Sequence, residues 1–406
     1  MVQRFFKVII ILIIGFSLFT CIDPYVPQLK SFESRLVVDA LLTDENISNY
    51  VRLSRTIESP DDVAAVSGAE VIITDDIGNS TYLTERYPGD YRTDSLQFMG
   101  VAGRSYTLTI ETSDGKRYES EKCMLYPVPE IDSLYYGRDE MFSDETGSFR
   151  EGVTFYIDSH GENTSGYYRW SYDEWWKFNA PDPKLFDYVN DSTILPVDEV
   201  KKTCWGHKRS DIIDLEITQP GEPMDFFMKP ILFVASDESD RLLIQYCAEV
   251  RQMSLSKKEY EFWKLMAELN ESGGDIFDKQ PFQIFSNISN VNDPEEPVIG
   301  YFQVSGVQLQ RKYLTFNEAA AMDLPMYSYE CDRMEKGPID YPPPGGGRGP
   351  TFDEIYRMFL NSGYTFIKPL YNDAGNLLRL VFVLPHCAEC TVNGSLQKPW
   401  FWEDLD

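Results

Sequence analysis

Short apolar runs separated by turn signals fill the chain from Arg35 to residue 120, and this alternation constrains the fold more than any other feature. Each run has the length of a β-strand, and none repeats with the period of a helix. A series of short strands with frequent turns predicts a β-sandwich. The runs occupy residues 36–42, 50–55, 69–74, 81–84, 106–111 and 117–120.

Two turn sequences in this part predict β-hairpins. Residues 113–116 (Ser-Asp-Gly-Lys) join the last two runs, and residues 76–79 (Asp-Ile-Gly-Asn) join two earlier ones. The segment 68–91 also resembles the small prealbumin-like type of immunoglobulin-like sandwich. We therefore predict an immunoglobulin/prealbumin-like β-sandwich over residues 34–128, which ends where a Pro-Val-Pro sequence interrupts the chain.

The second region, residues 129–406, is predicted to be a larger β-rich domain with two inserted helices. Capping boxes begin both helices, at Ser256 with Glu259 and at Thr351 with Glu354. We place the helices near residues 256–271 and 352–361, each followed by glycine. Further strands are predicted at residues 152–159, 167–178, 224–233, 241–251, 298–308 and 377–384. The chain as a whole is therefore predicted to be mainly β.

The N-terminus has the layout of a bacterial export signal that ends at a cysteine. Two basic residues precede an apolar run at residues 8–19, which is too short to cross a bilayer, and Cys21 follows. This layout resembles the lipobox of bacterial lipoproteins, in which the cysteine carries the lipid. We predict a signal peptide over residues 1–20, lipidation at Cys21 and a lipid-anchored tether over residues 21–33. The alternative is an ordinary signal peptide or a signal anchor in which Cys21 happens to fall.

The charge balance excludes one class of partner. Without residues 1–20 the chain has 35 basic and 65 acidic residues, a formal net charge of −30. Such a surface has no basic patch with which to bind nucleic acid or anionic lipid. We therefore predict no nucleic-acid partner, and membrane attachment has to come from the lipid at Cys21.

Six further cysteines favour disulfides in an exported chain. Cys387 and Cys390 are the one close pair, which could also be a redox motif or, with His386 and Cys331, a zinc site. The pair lies between a predicted strand and a Gly/Pro-containing tail instead of opening a helix, and a recognisable four-ligand set is missing. We therefore predict structural disulfides, in which Cys387 and Cys390 pair with each other or with Cys331 or Cys204.

An aromatic ladder occupies one face of the predicted strand at residues 167–178. Such a ladder can stack a sugar or peptide ligand, but it more often forms the core of a large sheet. We keep ligand stacking as the secondary interpretation. The ladder consists of Tyr168, Trp170, Tyr172 and Trp176.

The sequence contains no recognisable catalytic motif. Its histidines, His160, His207 and His386, lie in no motif with a nucleophile or a metal ligand. The acidic clusters lack the ligand spacing of an EF-hand. We predict no catalytic residue, no metal site and no cofactor, and we expect a protein that is not an enzyme.

Short segments spread over nearly the whole chain resemble one family. They are residues 21–25, 36–39, 51–55, 131–134, 168–170, 204–205, 262–263, 294–302 and 387–402. The family is DUF4249, Bacteroidota-type outer-membrane lipoproteins with a domain of unknown function. The resemblance implies a lipid-anchored envelope protein that is often encoded beside a TonB-dependent outer-membrane transporter. It implies no defined chemistry.

These features together predict an accessory or binding subunit of a TonB-dependent uptake system, anchored in the outer membrane by lipid. Asp23, directly after the lipid site, resembles acidic export signals and favours the outer face, with the periplasmic face as the alternative. Two other functions stay open. One is a surface hydrolase that acts on glycan or peptide, and the other is an envelope scaffold or adhesin.

Overall fold

The computed structural model describes residues 34–57, 63–94, 98–144, 146–161, 165–218, 223–271, 286–342 and 348–405. Strands dominate its regular structure, which confirms the prediction of a mainly β chain. The predicted signal peptide, Cys21 and the tether lie outside the described residues, as do the glycines at 273–274. In the part that is described, we find no helix with the length and apolar character needed to span a membrane.

The N-terminal part is built from short strands, and the two predicted hairpins pair antiparallel as β4–β5 and β8–β9. The strands are β1 (Leu36–Thr43), β2 (Tyr50–Thr56), β3 (Val63–Ala65), β4 (Glu70–Asp75), β5 (Ser80–Tyr82), β6 (Thr84–Tyr87), β7 (Asp90–Arg92), β8 (Ser105–Glu111), β9 (Arg117–Ser120) and β10 (Cys123–Met124).

Longer strands follow. They are β11 (Ile131–Ser143), β12 (Ser148–Gly161), β13 (Tyr167–Asn179), β14 (Phe186–Asn190), β15 (Thr193–Pro196), β16 (Thr203–Arg209), β17 (Asp214–Ile217), β18 (Met224–Ala235), β19 (Gln245–Ser254), β20 (Ile288–Asn290), β21 (Ile299–Thr315), β22 (Met334–Lys336), β23 (Thr365–Tyr371) and β24 (Leu377–Val383).

The α-helices are α1 (Lys257–Glu271), α2 (Phe316–Ala321), α3 (Phe352–Asn361) and α4 (Pro385–Ala388). The helices α1 and α3 occupy the two segments where capping boxes predicted them. The side chain of Thr351 accepts a hydrogen bond from the backbone N–H of Glu354, whose carboxylate accepts one from the backbone N–H of Thr351. The same reciprocal cap between Thr315 and Glu318 begins α2, which we did not predict.

One large sheet connects the two halves of the described chain. Its strand order is β16-β13-β19-β21-β1-β2-β7-β6, with β17 beside β13 and β3 beside β2. The long strand β21 makes the connection, because residues 299–305 pair parallel with β1 and residues 306–315 pair antiparallel with β19. A second sheet has the order β20-β9-β8-β4-β5, with β10 beside β8.

Side chains from both of these sheets form one hydrophobic core in the N-terminal part, an arrangement typical of a β-sandwich. The finer assignment to the immunoglobulin or prealbumin-like type stays a prediction. This core includes Ile288, Phe302 and Val304, which lie far beyond residue 128. The predicted boundary at residue 128 therefore does not separate two independent cores, since β20 and β21 complete the two N-terminal sheets.

The two largest of the other cores in the described structure lie in the second region. The three-stranded sheet β11-β12-β18 contributes to a core with the aromatic face of β13 and with β19. The C-terminal sheet, β22-β24-β23, packs with α3 around Phe359, Phe366 and Phe382. The rings of Phe359 and Phe382 stack with their centroids 4.6 Å apart.

Candidate ligand-binding groove

A groove with a volume of about 700 Å³ lies beside the large sheet. Its lining comes from β1, β2, β7, β13, β16, β19 and β21, from helix α1 and from the loop between β1 and β2. The volume falls within the range of small-molecule sites in proteins. We call this cavity the groove, and it is the candidate functional site.

The alternation of β13 decides which of its side chains reach the groove. Successive side chains of a strand point to opposite faces, so Arg169, Ser171 and Asp173 share the face that lines the groove. The ladder residues Tyr168 and Trp170 lie on the other face, where they are 0% and 1% exposed. Both rings meet Phe226 edge to face, so they are part of the core and have no face free for a ligand.

The other two ladder residues also contact the core. Tyr172 and Trp176 are partly buried and pack against the core cluster that contains Trp170. Tyr172 is the one ladder residue that also lines the groove. The predicted stacking platform therefore has no open aromatic row, and most of the β13 side chains that line the groove lie on the opposite face of the strand.

Asp173 is the centre of a charge network at one end of the groove. It accepts hydrogen bonds from His207 Nε2 at 2.7 Å, from Arg209 Nε at 3.1 Å and from Arg251 at 2.8 Å. Burial raises the pKa of this carboxyl, but the bond from His207 and the charges of Arg209 and Arg251 outweigh burial, so the pKa is lowered. Asp173 is therefore ionised at neutral pH, and both of its carboxylate oxygens accept hydrogen bonds from side chains.

A second paired cluster lines the other end. Arg52 lies 3.4 Å from Asp39 and 3.8 Å from Asp90, while Arg92 lies 2.6 Å from Asp90. Both guanidinium groups also lie over the ring of Tyr50, with Cζ at 4.6 Å and 5.1 Å from its centroid. These arginines are thus neutralised by carboxylates and held against an aromatic face.

Arg169 differs from the other arginines of the groove. Its Cζ lies 3.4 Å from the centroid of the Trp263 ring on α1, and the indole Nε1 donates to Gln303 Oε1 at 3.2 Å. Its Nε is shielded from solvent and has no hydrogen-bond partner among the described residues. Burial lowers the pKa of Arg169 to about 10, so the group stays protonated at neutral pH.

The acid with the largest electrostatic effect on Arg169 is itself buried. Glu259, in the first turn of α1, is 2% exposed and accepts a hydrogen bond from Ser305 Oγ at 2.9 Å. Burial raises the pKa of this carboxyl to about 8, so it is mostly protonated at neutral pH. Glu259 therefore gives Arg169 only a partial countercharge, and no ion pair joins the two groups in the described structure.

The four candidate cysteines lie away from the groove and form two disulfides. Cys204 pairs with Cys390, and Cys331 pairs with Cys387. Cys387 and Cys390 are thus each bonded to a distant partner and not to each other. Contrary to the sequence expectation, Cys387 does lie in a helix that follows a strand, namely α4 after β24.

The three histidines and the cysteines beside His386 do not form a further site in the described structure. Sγ of Cys331, Sγ of Cys387 and a ring nitrogen of His386 lie within 4.8 Å of one another, but the disulfide occupies both sulfurs. His160 Nδ1 lies 2.6 Å from Asp132, and this histidine is largely exposed. In the described structure, the side-chain partner of each of His160 and His207 is an aspartate, and neither contacts a serine hydroxyl or a thiol.

The fold and the groove define a β-rich protein with a charged cavity beside its main sheet. The chain belongs to the family described as Domain of unknown function (DUF4249), whose model matches residues 22–311. This match confirms the resemblance that the sequence suggested. Neither the curated proteins nor the solved structures contain a match to the chain.

Five of the nine segments that resemble the family line the groove. Residues 36–39, 51–55, 168–170, 262–263 and 294–302 each contribute at least one lining residue, among them Asp39, Arg52, Arg169, Trp263 and Tyr301. These segments are far apart in the chain and belong to β1, β2, β13, α1 and β21. Arg169 was not among the site residues that the sequence predicted. The signal that could have found it was the polar series Arg169, Ser171, Asp173.

Proposed function

We propose that the protein is a lipid-anchored binding protein of the outer membrane that serves as an accessory or binding subunit of a TonB-dependent uptake system. The observation that carries the proposal is the groove, in which Arg169 lies on Trp263 and has no carboxylate partner within 4 Å among the described residues. The anchor and the transporter are proposed from the N-terminal sequence and from the family resemblance.

The cost of an unpaired arginine favours binding over a purely structural role. A shielded polar group without a hydrogen-bond partner costs free energy, and a cation costs more. A scaffold would be more stable with a carboxylate beside Arg169 or with an apolar residue in its place. Perturbed charged groups in a cavity are typical of functional sites. A binding function therefore explains the unpaired arginine in the groove, whereas a scaffold function does not.

The number of residues between Cys21 and β1 is compatible with this proposal. The groove-lining strand β1 begins at Leu36, fifteen residues after Cys21. An extended chain of that length spans at most about 50 Å. A lipid on Cys21 would therefore keep the groove near the membrane, within reach of a transporter in the same membrane.

Co-purification tests the proposal. We expect the tagged protein, extracted from its own cells in mild detergent, to bring down a transporter barrel that mass spectrometry identifies. Cys21→Ser is expected to abolish labelling by radioactive palmitate, to release the protein from the membrane fraction and to reduce the co-purified transporter.

Two results would count against the proposal. Continued palmitate labelling of the Cys21→Ser protein would reject the anchor. Recovery of the wild-type protein from the membrane without any transporter, under conditions that preserve known membrane complexes, would reject the subunit role and leave the scaffold and hydrolase alternatives.

A further inference from the structure

We propose that the groove binds a small molecule that carries an oxyanion, a carboxylate or a phosphate, beside a flat or apolar body, and that Arg169 is the residue that binds the oxyanion. This inference rests on the proposed function, because it names the ligand class of the same groove. It follows from the charge pairing, the aromatic packing and the apolar lining of the cavity.

The first step is the pairing of charges. The groove is lined by the arginines Arg52, Arg92, Arg169, Arg209 and Arg251. Four of them have carboxylate partners within 4 Å, namely Asp39, Asp90, Asp173 and Glu249. Arg169 has no such partner in the described part of the chain, although the whole protein carries a formal net charge of −28. Among the described residues, Arg169 is thus the arginine of the groove that forms no ion pair, although the charges of Glu259 and Asp39 act on it from farther away.

The second step is the packing that holds this cation in place. One face of the guanidinium rests on the Trp263 ring, and the bond from the indole to Gln303 fixes that ring. The edge of a guanidinium carries its N–H donors in a rigid fork, which matches the two oxygens of a carboxylate or phosphate. An arginine held by its face and left unpaired at its edge is preorganised for an oxyanion.

The third step is the lining around the cation. Met253, Phe262, Met266 and Ile299 add apolar surface to the same cavity. Phe262 also packs on Tyr301, with the ring centroids 4.9 Å apart. A bare inorganic ion would leave this surface exposed to water. The cavity therefore fits an anion with an attached ring or chain, of the size that about 700 Å³ can hold.

Three matched probes test the inference: 1-naphthoate, 1-naphthyl phosphate and the neutral 1-naphthylmethanol. Each is titrated by calorimetry into the mature protein in mild detergent, with detergent alone as the blank. We expect at least one of the two anions to bind about tenfold to a hundredfold more tightly than the alcohol, because a charge-assisted hydrogen bond has that effect. The anion that binds more tightly identifies the oxyanion as carboxylate or phosphate.

Substitutions test whether Arg169 causes the preference for the anions. Arg169→Gln is expected to remove the preference for the anion and to leave binding of the alcohol unchanged, while Arg169→Lys, which keeps the charge without the fork, retains part of the preference. Ser171→Trp should fill the groove and abolish binding of all three probes. Arg117→Gln removes an exposed arginine outside the groove and is the matched control, which should bind like the wild type. Unfolding curves confirm that each variant is folded.

Several outcomes would overturn the inference. They are equal affinity of the wild type for the anions and the alcohol, no detectable binding of any probe, or unchanged anion binding by folded Arg169→Gln or Ser171→Trp protein. Loss of this inference would leave co-purification with a transporter unaffected, so its failure and the failure of the proposed function are distinguishable.

Discussion

Gly300→Ala is expected to lower the free energy of unfolding by more than about 4 kcal/mol or to prevent folding altogether. A Cβ at this position would lie 1.9 Å from the carbonyl oxygen of Val38 and 2.8 Å from its carbonyl carbon. These are backbone atoms of the paired strand β1, which cannot move aside without breaking the sheet. Gly300 also has φ +102°, a conformation that alanine rarely adopts.

The result can be compared with a glycine that has the same backbone strain but no close neighbour. Gly78, in the turn between β4 and β5, has φ +93° and open space around the position of a Cβ. Gly78→Ala is expected to cost only about 1–2 kcal/mol, the conformational part of the effect. Urea unfolding of both purified variants provides the measurement. Equal destabilisation by the two substitutions would show that β1 and β21 do not pair as described.

Replacing Cys204 and Cys390 together by alanine is expected to lower the free energy of unfolding by about 2–5 kcal/mol. Their disulfide joins β16 to the C-terminal tail across 186 residues of sequence. On the chain-entropy model, closing a loop of that length restricts the unfolded chain strongly. The bridge also lies beside a short antiparallel contact between Trp205 and Ser395, which it helps to hold.

Cys123→Ala is the control for this experiment, because Cys123 forms no disulfide. It should lose only the local contacts of its Sγ with Asn287 and the N-terminal core, and a reducing agent should affect it as it affects the wild type. The double variant should instead lose only the contribution of the second bridge on reduction. Peptide mapping without reduction should find Cys204 linked to Cys390 and Cys331 linked to Cys387. A link between Cys387 and Cys390, or free thiols at both, would contradict the structure.

Local features of the sequence were sufficient for many of the strands and for the two longer helices. Apolar runs with turn residues between them predicted β4, β5, β8 and β9, since hairpins form between neighbours in the chain. The helices α1 and α3 began at capping boxes for the same reason, because a cap involves residues only three positions apart. The long strand β11 and most of the shorter strands were missed, because they are very short or their residues have weak or mixed patterns. The shorter ones are β3, β6, β7, β10, β14–β17, β20, β22 and β23.

The pairing of distant strands could not be predicted in the same way. The parallel contact of β1 with β21 joins residues about 260 positions apart, and no turn sequence marks it. The sequence therefore predicted a domain boundary at residue 128, where a Pro-Val-Pro sequence interrupts the chain. The structure instead completes the N-terminal core with Phe302 and Val304, which the sequence assigned to the second region.

The groove was missed for a related reason. Its lining residues come from at least eight elements between Val37 and Gln303, so no short motif contains them. The sequence offered the aromatic residues of β13 as a candidate ligand platform. Large apolar rings on a central strand are, however, usually buried in the core. The polar residues that alternate with them, Arg169, Ser171 and Asp173, line the cavity instead.

The most direct test of the account is the identity of what the groove holds. Mature protein is equilibrated with the small-molecule fraction of its own culture medium, separated by rapid gel filtration and denatured, and the released compounds are identified by mass spectrometry. Ser171→Trp protein, which keeps every charge but fills the groove, is treated in parallel. The account predicts that the wild type releases a small molecule bearing a carboxylate or phosphate in near-stoichiometric amount and that the variant releases none. Release of the same compounds from both proteins, or of none from the wild type, would contradict the claim that the groove is a binding site.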